Sequence, residues 1–212
     1  MKEYSTIIWD FNGTIIDDVQ AALASVNDML LKRNQPTIDI NRYYEAVDTP
    51  ISRFYETVFL PGTLDFSDAV VEFDSGYEKH IQKNPVMIGA EEMLSRFQKM
   101  GKRQIIVSAS NIDKITRRLS EIQLLQYFDA VLGRSDYQAG DKVFLAKKYF
   151  EENTTYPESC VVIGDCVADW QMSKELSCDC ILNTKGHQSR KEFSVTDAEI
   201  IDNLTELADL IM

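Results

Sequence analysis

The sequence predicts an α/β fold: an open parallel sheet with helices on both faces and one all-helical insertion. Three observations predict it. Short apolar runs rich in β-branched residues recur along the chain, as strands covered on both faces require. Helical periods lie between these runs. One long stretch, from Val19 to Lys83, carries helix patterns and no strand.

The elements follow in order. TIIWDF (6–11) reads as the first strand, ended by the turn signal Asn12-Gly13. VQAALASVNDMLLKRN then places apolar residues at helical spacing behind Asp17 and Asp18, either of which could cap that helix. DINRYYEAV, ISRFYETVF and DFSDAVVEFDSGYEKHIQ continue the helical stretch, separated by Pro36, Pro50 and Pro61-Gly62. Beyond it the pattern alternates: helix 89–100, strand 103–110, helix 111–124, strand 130–133, helix 142–152, strand 160–165, helix 167–177, strand 178–183. Residues 1–18 and 84–212 are thus expected to form the sheet core, and 19–83 an inserted helical unit. Ligands of such sheets bind beyond the carboxyl ends of the strands, where the strand order reverses. An insertion leaving after the first strand would cover that place as a cap.

The chain has 212 residues, enough for one well-filled domain with a smaller inserted module. Its formal charge of −12 argues against nonspecific nucleic-acid binding, because most of the surface would repel a phosphate backbone. A small phosphorylated molecule needs only a local cluster of donors. No apolar run approaches the ~20 residues of a membrane helix, and MKEYSTIIWD has too short an apolar segment for a signal peptide. A cytoplasmic protein without a membrane partner is expected; the sequence does not define its oligomeric state. Of the four cysteines, Cys178 and Cys180 form a C-x-C that suits either half a metal site or a buried strand. No second pair stands at zinc spacing, which favours the strand.

Four clusters at or just after strand ends carry the candidate chemistry. Asp10 ends the first strand, with Gly13 permitting a sharp turn and Thr14 following. A carboxylate buried at a strand tip is costly unless it binds something. Ser108-Ala109-Ser110-Asn111 offers a hydroxyl and main-chain amides at a helix start, which suits either an anion site or a plain helix cap. Lys142 begins a helix, where a cation opposes the dipole. Asp165 and Asp169 lie near the start of the next helix; beside Asp10 they would make an oxygen-rich site suited to Mg²⁺, and otherwise they are favourable helix-start acids.

In order and spacing the set resembles the haloacid dehalogenase superfamily: D-x-D-x-T, then Ser/Thr, then Lys, then G-D-x-x-x-D. Here these are Asp10-Phe11-Asn12-Gly13-Thr14, Ser108, Lys142 and Gly164-Asp165 through Asp169. QIIVSAS, VLGRSDYQAGDKVFLAKK and GHQS resemble the branch of phosphoglycolate phosphatase-like enzymes, and 19–83 resembles that branch's helical cap. The resemblance implies a Rossmann-like core and a Mg²⁺-dependent hydrolase of a small phosphorylated metabolite. It implies Asp10 as nucleophile, forming an aspartyl phosphate. It implies Mg²⁺ on Asp10, the main-chain carbonyl of Asn12 and Asp165, with Asp169 holding waters or Lys142. Ser108 and the Ala109 amide would hold phosphoryl oxygens, and Lys142 would neutralise charge between nucleophile and phosphate.

Asn12 departs from the pattern. The family's phosphatases carry a second aspartate there, which protonates the leaving oxygen and then activates water. An amide does neither, whereas a main-chain metal ligand is unaffected. Turnover could therefore be reduced or redirected. The alternatives are a phospho-ligand binding or regulatory protein, and phosphoryl transfer to an acceptor other than water. Asn12→Asp is expected to recover hydrolysis of alkyl phosphates, unless Asp17, Asp18, Asp169 or His187 already supplies the proton. In the helical insertion Arg42, Arg53, Lys79 and His80 are candidates to reach a ligand, though such side chains are more often simply solvated.

Overall fold

The computed structural model describes residues 2–48, 50–135 and 142–211. Six strands form one parallel sheet: β1 (Thr6–Trp9), β2 (Arg103–Asn111), β3 (Ala130–Arg134), β4 (Cys160–Gly164), β5 (Asp179–Asn183) and β6 (Glu199–Ile201). Their order is β3-β2-β1-β4-β5-β6. The chain runs outward from β1 through β2 to β3, then crosses back to start again at β4. The order thus reverses between β1 and β4, and a crevice opens beyond their carboxyl ends. Trp9 pairs with Ile163, and the Asp10 amide donates to the Ile163 carbonyl at 2.8 Å. That register brings the residues after β1 beside those after β4.

Strand alternation fills two layers. On one face Ile7, Trp9, Ile106, Val161 and Ile163 pack with Met93, Leu94 and Phe97 of α5 (Ala90–Lys99) and with Ile115 and Leu119 of α6 (Ile112–Glu121). On the other, Ile8, Ile105, Val107, Val162 and Leu182 meet Ala146 and Phe150 of α7 (Lys142–Glu152) and Met172 and Leu176 of α8 (Val167–Leu176). β1 and β4 are buried along their whole length, which explains why they read as continuous apolar runs. Cys160, Cys178 and Cys180 are buried apolar-layer residues, and all four cysteines are free thiols.

Between β1 and α5 lie α1 (Val19–Lys32), α2 (Ile40–Ala46), α3 (Ile51–Val58) and α4 (Phe66–His80). They share an apolar cluster of their own, including Val26, Met29, Leu30, Tyr43, Phe54 and Ala69. The segments entering and leaving this helical stretch are tied together: Asp17 N donates to Pro85 O at 2.7 Å and Met87 N to Ile15 O at 2.9 Å. Asp39 and Asp65 cap α2 and α4 as short acids do. Asp18 occupies the same position before α1, yet its carboxylate caps nothing there.

Among the described residues one strand and one α-helix add to the expected series: β6 and the short α9 (Leu207–Leu210). The first strand ends at Trp9 rather than at Phe11. Residues 136–141, within the VLGRSDYQAGDKVFLAKK stretch, lie outside the described residues. Among the described residues no helix is long and apolar enough to cross a membrane.

Candidate active site

The carboxyl ends of β1 and β4 place Asp10 and Asp165 side by side, both buried. Lys142, at the start of α7, bridges from the side: its Nζ donates to Asp10 Oδ1 at 2.7 Å and to Asp169 Oδ1 at 2.9 Å. The unfavourable position against the helix dipole is thus offset by hydrogen bonds to two buried acids. The other oxygen of Asp169 accepts from the amides of Asp165 (3.1 Å) and Cys166 (3.0 Å), fixing the turn into α8. Asp165 accepts from Thr14 Oγ1 at 3.0 Å and from the His187 amide at 2.6 Å.

Close packing forces glycine at two places. A Cβ on Gly13, whose φ is +72°, would lie 2.2 Å from Asp165 Oδ2; one on Gly186 would lie 2.2 Å from Asp165 Cβ. The acid is wedged between two backbones that approach it without side chains.

Three carboxylates share one lysine, so the cluster is short of positive charge. Burial pushes the Asp10 carboxyl up to about 8, against the pull of Lys142, and the neighbouring acids add to the rise. Burial and Asp169 likewise raise Asp165, against His187. Lys142 stays firmly protonated: burial works against its charge, but Asp10 and Asp169 override it. The donor set fits a hard divalent cation such as Mg²⁺. Asp165, Cys166 and Asp169 bring potential ligand atoms within 4.8 Å of one another. Both Asp169 oxygens are already engaged, and burial holds the Cys166 thiol well above its usual range. Asp165 and Asp10 are therefore the acids suited to hold such a cation, with Asp169 orienting Lys142 and the turn.

Ser108 is buried at the end of β2, and Ala109 beside it is exposed. Between Val107 and Asn111 the register with β3 shifts: Val107 faces Leu132, while Asn111 faces Arg134. The bulge interrupts the ladder around 108–110, where the Ser110 amide donates to Ser108 Oγ at 3.1 Å. Asn111 caps α6 through Asp113 N and Lys114 N, so Ser108 is not needed as a cap.

The Asn12 amide is saturated. Its Nδ2 donates to Asp18 Oδ2 at 2.6 Å and approaches Tyr77 Oη at 3.4 Å, and its Oδ1 accepts from Ser110 Oγ at 2.8 Å. Asp18, 2% exposed, also accepts from Gly13 N (2.8 Å) and Tyr77 Oη (2.8 Å) and meets His187 Nε2 at 3.1 Å. His187 Nδ1 lies 2.8 Å from Tyr43 Oη. Burial disfavours charge on His187, but Asp18, with Asp165 and Asp10 beyond it, lifts the imidazole to about 9. Burial would raise Asp18, but His187, Asn12 and Tyr77 together lower it.

The structure therefore brings together Asp10, Lys142, Asp165 and Asp169, and Asn12 with Ser110. It adds Asp18, Tyr43, Tyr77 and His187. Asp18 and His187 stood in the sequence as secondary possibilities; the tyrosines had no signal beyond helical spacing. The four candidate side chains of the helical stretch are paired elsewhere: Arg42 on Thr57 O, Arg53 on Asp48, and Lys79 and His80 on Asp28.

The haloacid dehalogenase-like hydrolase family model matches residues 7–183. The chain belongs to this family. It is a hydrolase on that ground, and its relatives bear out the fold. A phosphoglycolate phosphatase from Pseudomonas fluorescens is 22% identical over 211 residues, 95% of this chain and 77% of its own. A solved structure described as a predicted phosphatase, from Clostridium acetobutylicum, superposes with TM-score 0.80 at 22% identity, covering 99% of this chain and 98% of that one. A haloacid dehalogenase-like hydrolase from Streptococcus pneumoniae gives TM-score 0.82 at 17% identity, covering 99% and 100%.

Proposed function

We propose that this hydrolase is a Mg²⁺-dependent phosphatase of a small phosphorylated metabolite, working through an aspartyl phosphate on Asp10. The observation that carries the reading is the Lys142 bridge between Asp10 and Asp169, beside Asp165, at the reversal of strand order. Asp10, Asp165 and the Asn12 carbonyl would hold the cation, which when bound supplies positive charge to the phosphoryl oxygens. Lys142 keeps Asp10 oriented and lets two anions approach. Ser108 and the Ala109 amide would receive phosphoryl oxygens at the bulge of β2.

An Asp10 oxygen attacks phosphorus, and the bond to the leaving oxygen breaks, its electron pair departing on that oxygen. Water then attacks the phosphoryl group, loses its proton to solvent, releases phosphate and restores Asp10. Asn12 donates no proton, so acyl and aryl phosphates are favoured over alkyl phosphates. Helices α1–α4 would act as the cap over this site.

Phosphate release from 4-nitrophenyl phosphate and from phosphoglycolate, with and without Mg²⁺, tests the reading in wild type and Asp10→Asn. The relative from Pseudomonas makes phosphoglycolate the first metabolite to try. Release should need both metal and Asp10. Wild-type turnover in Asp10→Asn would refute the nucleophile. Saturable calorimetric binding with no release from any phosphate ester would make the chain a phospho-ligand binder.

A further inference from the structure

Two facts about the turn have no place in the chemistry above. The residue that cannot transfer a proton, Asn12, has every polar side-chain atom occupied by protein. Its principal partner, Asp18, stands where α1 would take a capping residue and leaves that helix uncapped. Asp18 instead gathers Gly13 N, Asn12 Nδ2, Tyr77 Oη and His187 Nε2. Two of these donors belong to the turn that carries Asp10, one to α4 and one to the loop whose amide holds Asp165.

We propose that Asp18 is a positioning residue that dictates the amide at position 12, so that Asn12 and Asp18 are a matched donor–acceptor pair exchangeable only together. The contact of 2.6 Å accommodates an N–H donor facing a carboxylate. It does not accommodate two ionised carboxylates, whose repulsion in a buried site is large; one of them would have to hold a proton against the other. The neighbours relieve it only in part: Gly13 offers only its amide, already used, Ser110 serves the other end of Asn12, and His187 faces the other oxygen of Asp18, Oδ1. The site has its second carboxylate, displaced six positions along the chain and turned to hold the turn rather than to face a leaving group. On this pairing Asn12→Asp alone would not restore alkyl phosphate hydrolysis.

The catalytic half of the proposal rests on the phosphatase reading; the pairing half does not. The test is a thermodynamic cycle of wild type, Asn12→Asp, Asp18→Asn and the double variant, with Asn12→Ala as a control that removes the donor without adding charge. Thermal unfolding is read in EDTA, and intact mass excludes deamidation at Asn12-Gly13. Asn12→Asp should lower Tm by roughly 5–10 °C when Asp18 is intact, more than Asn12→Ala does, because it adds charge as well as losing a bond. In the Asp18→Asn background the same change should cost little, since the new amide donates to the new carboxylate. Equal costs in both backgrounds overturn the proposal.

The activity arm compares a series of phosphate esters of differing leaving-group acidity. The single Asn12→Asp variant should gain nothing on alkyl phosphates. The double variant, with its carboxylate back at position 12, should gain up to the ~10²–10⁴-fold of a positioned acid–base group and show a shallower leaving-group dependence. A full gain in the single variant also overturns the proposal. Absence of release from every variant and every ester, with the stability coupling intact, refutes the phosphatase reading and leaves the pairing standing.

Discussion

Replacing Lys142 with methionine keeps the length of the side chain and removes its charge. Two acids then lose a donor, Asp10 at 2.7 Å and Asp169 at 2.9 Å. Breaking a buried pair in this way costs about 3–5 kcal/mol, because the remaining charge is uncompensated. The cost depends on pH in a direction that follows from Asp10. Its folded pKa, about 8 with the lysine present, lies above that of the unfolded chain. Such a group favours the folded state at low pH and loses that contribution as pH rises toward the folded pKa. In the wild type the loss ends near pH 8. Without the lysine the folded pKa climbs further, so the variant keeps losing stability above pH 8, by up to about 1.4 kcal/mol per pH unit. Urea unfolding followed by tryptophan fluorescence, in EDTA, at pH 6.5 to 9.5, gives the difference directly. A gap below ~1 kcal/mol that stays constant with pH is what an exposed ion pair would give, and it would refute the buried bridge.

Three further outcomes are expected. Mg²⁺ should raise Tm more at pH 8.5 than at pH 6, because protons compete for the raised carboxyls of Asp10 and Asp165; equal shifts would place the cation elsewhere. His187→Gln should cost up to about 3 kcal/mol below pH 6.5, with the cost vanishing as pH rises through about 9, the value to which the folded imidazole is lifted; a cost that grows with pH would mean a neutral histidine. Gly186→Ala forces a methyl to within 2.2–2.4 Å of the Asp165 side chain and should abolish Mg²⁺ stabilisation; full metal response in a folded Gly186→Ala protein would remove Asp165 from the metal site.

The sheet was legible because its central strands are covered on both faces and so are apolar without interruption. β6 was not, because the three residues Glu199–Ile201 are too few to show a period. The acids and lysine around Asp10 were legible by order and spacing; what brings them into contact, the reversal of strand order and the β1–β4 register, is tertiary. Asp18 was harder. An acid just before an amphipathic helix has the same signature whether it caps the helix or faces a site, and only the fold shows that this one turns away from α1. Tyr43 and Tyr77 lie at helical spacing among apolar residues, where an aromatic ring is indistinguishable from packing until its hydroxyl is seen against His187 or Asp18.

The position of β1 at the centre of the sheet bears on how the protein is made. Thr14 and Asp165, which touch, are 151 residues apart in the chain. At ~5–20 residues per second of synthesis, the first strand waits on the order of 10–30 s for its partner β4. Helices α1–α4 are contiguous in sequence and share an apolar cluster, so they can consolidate during that wait. Lys142 precedes Asp165 along the chain, and β1 is enclosed only once β4 arrives. Asp10 therefore stays in water through most of synthesis and is withdrawn from it only when its counter-charge already exists.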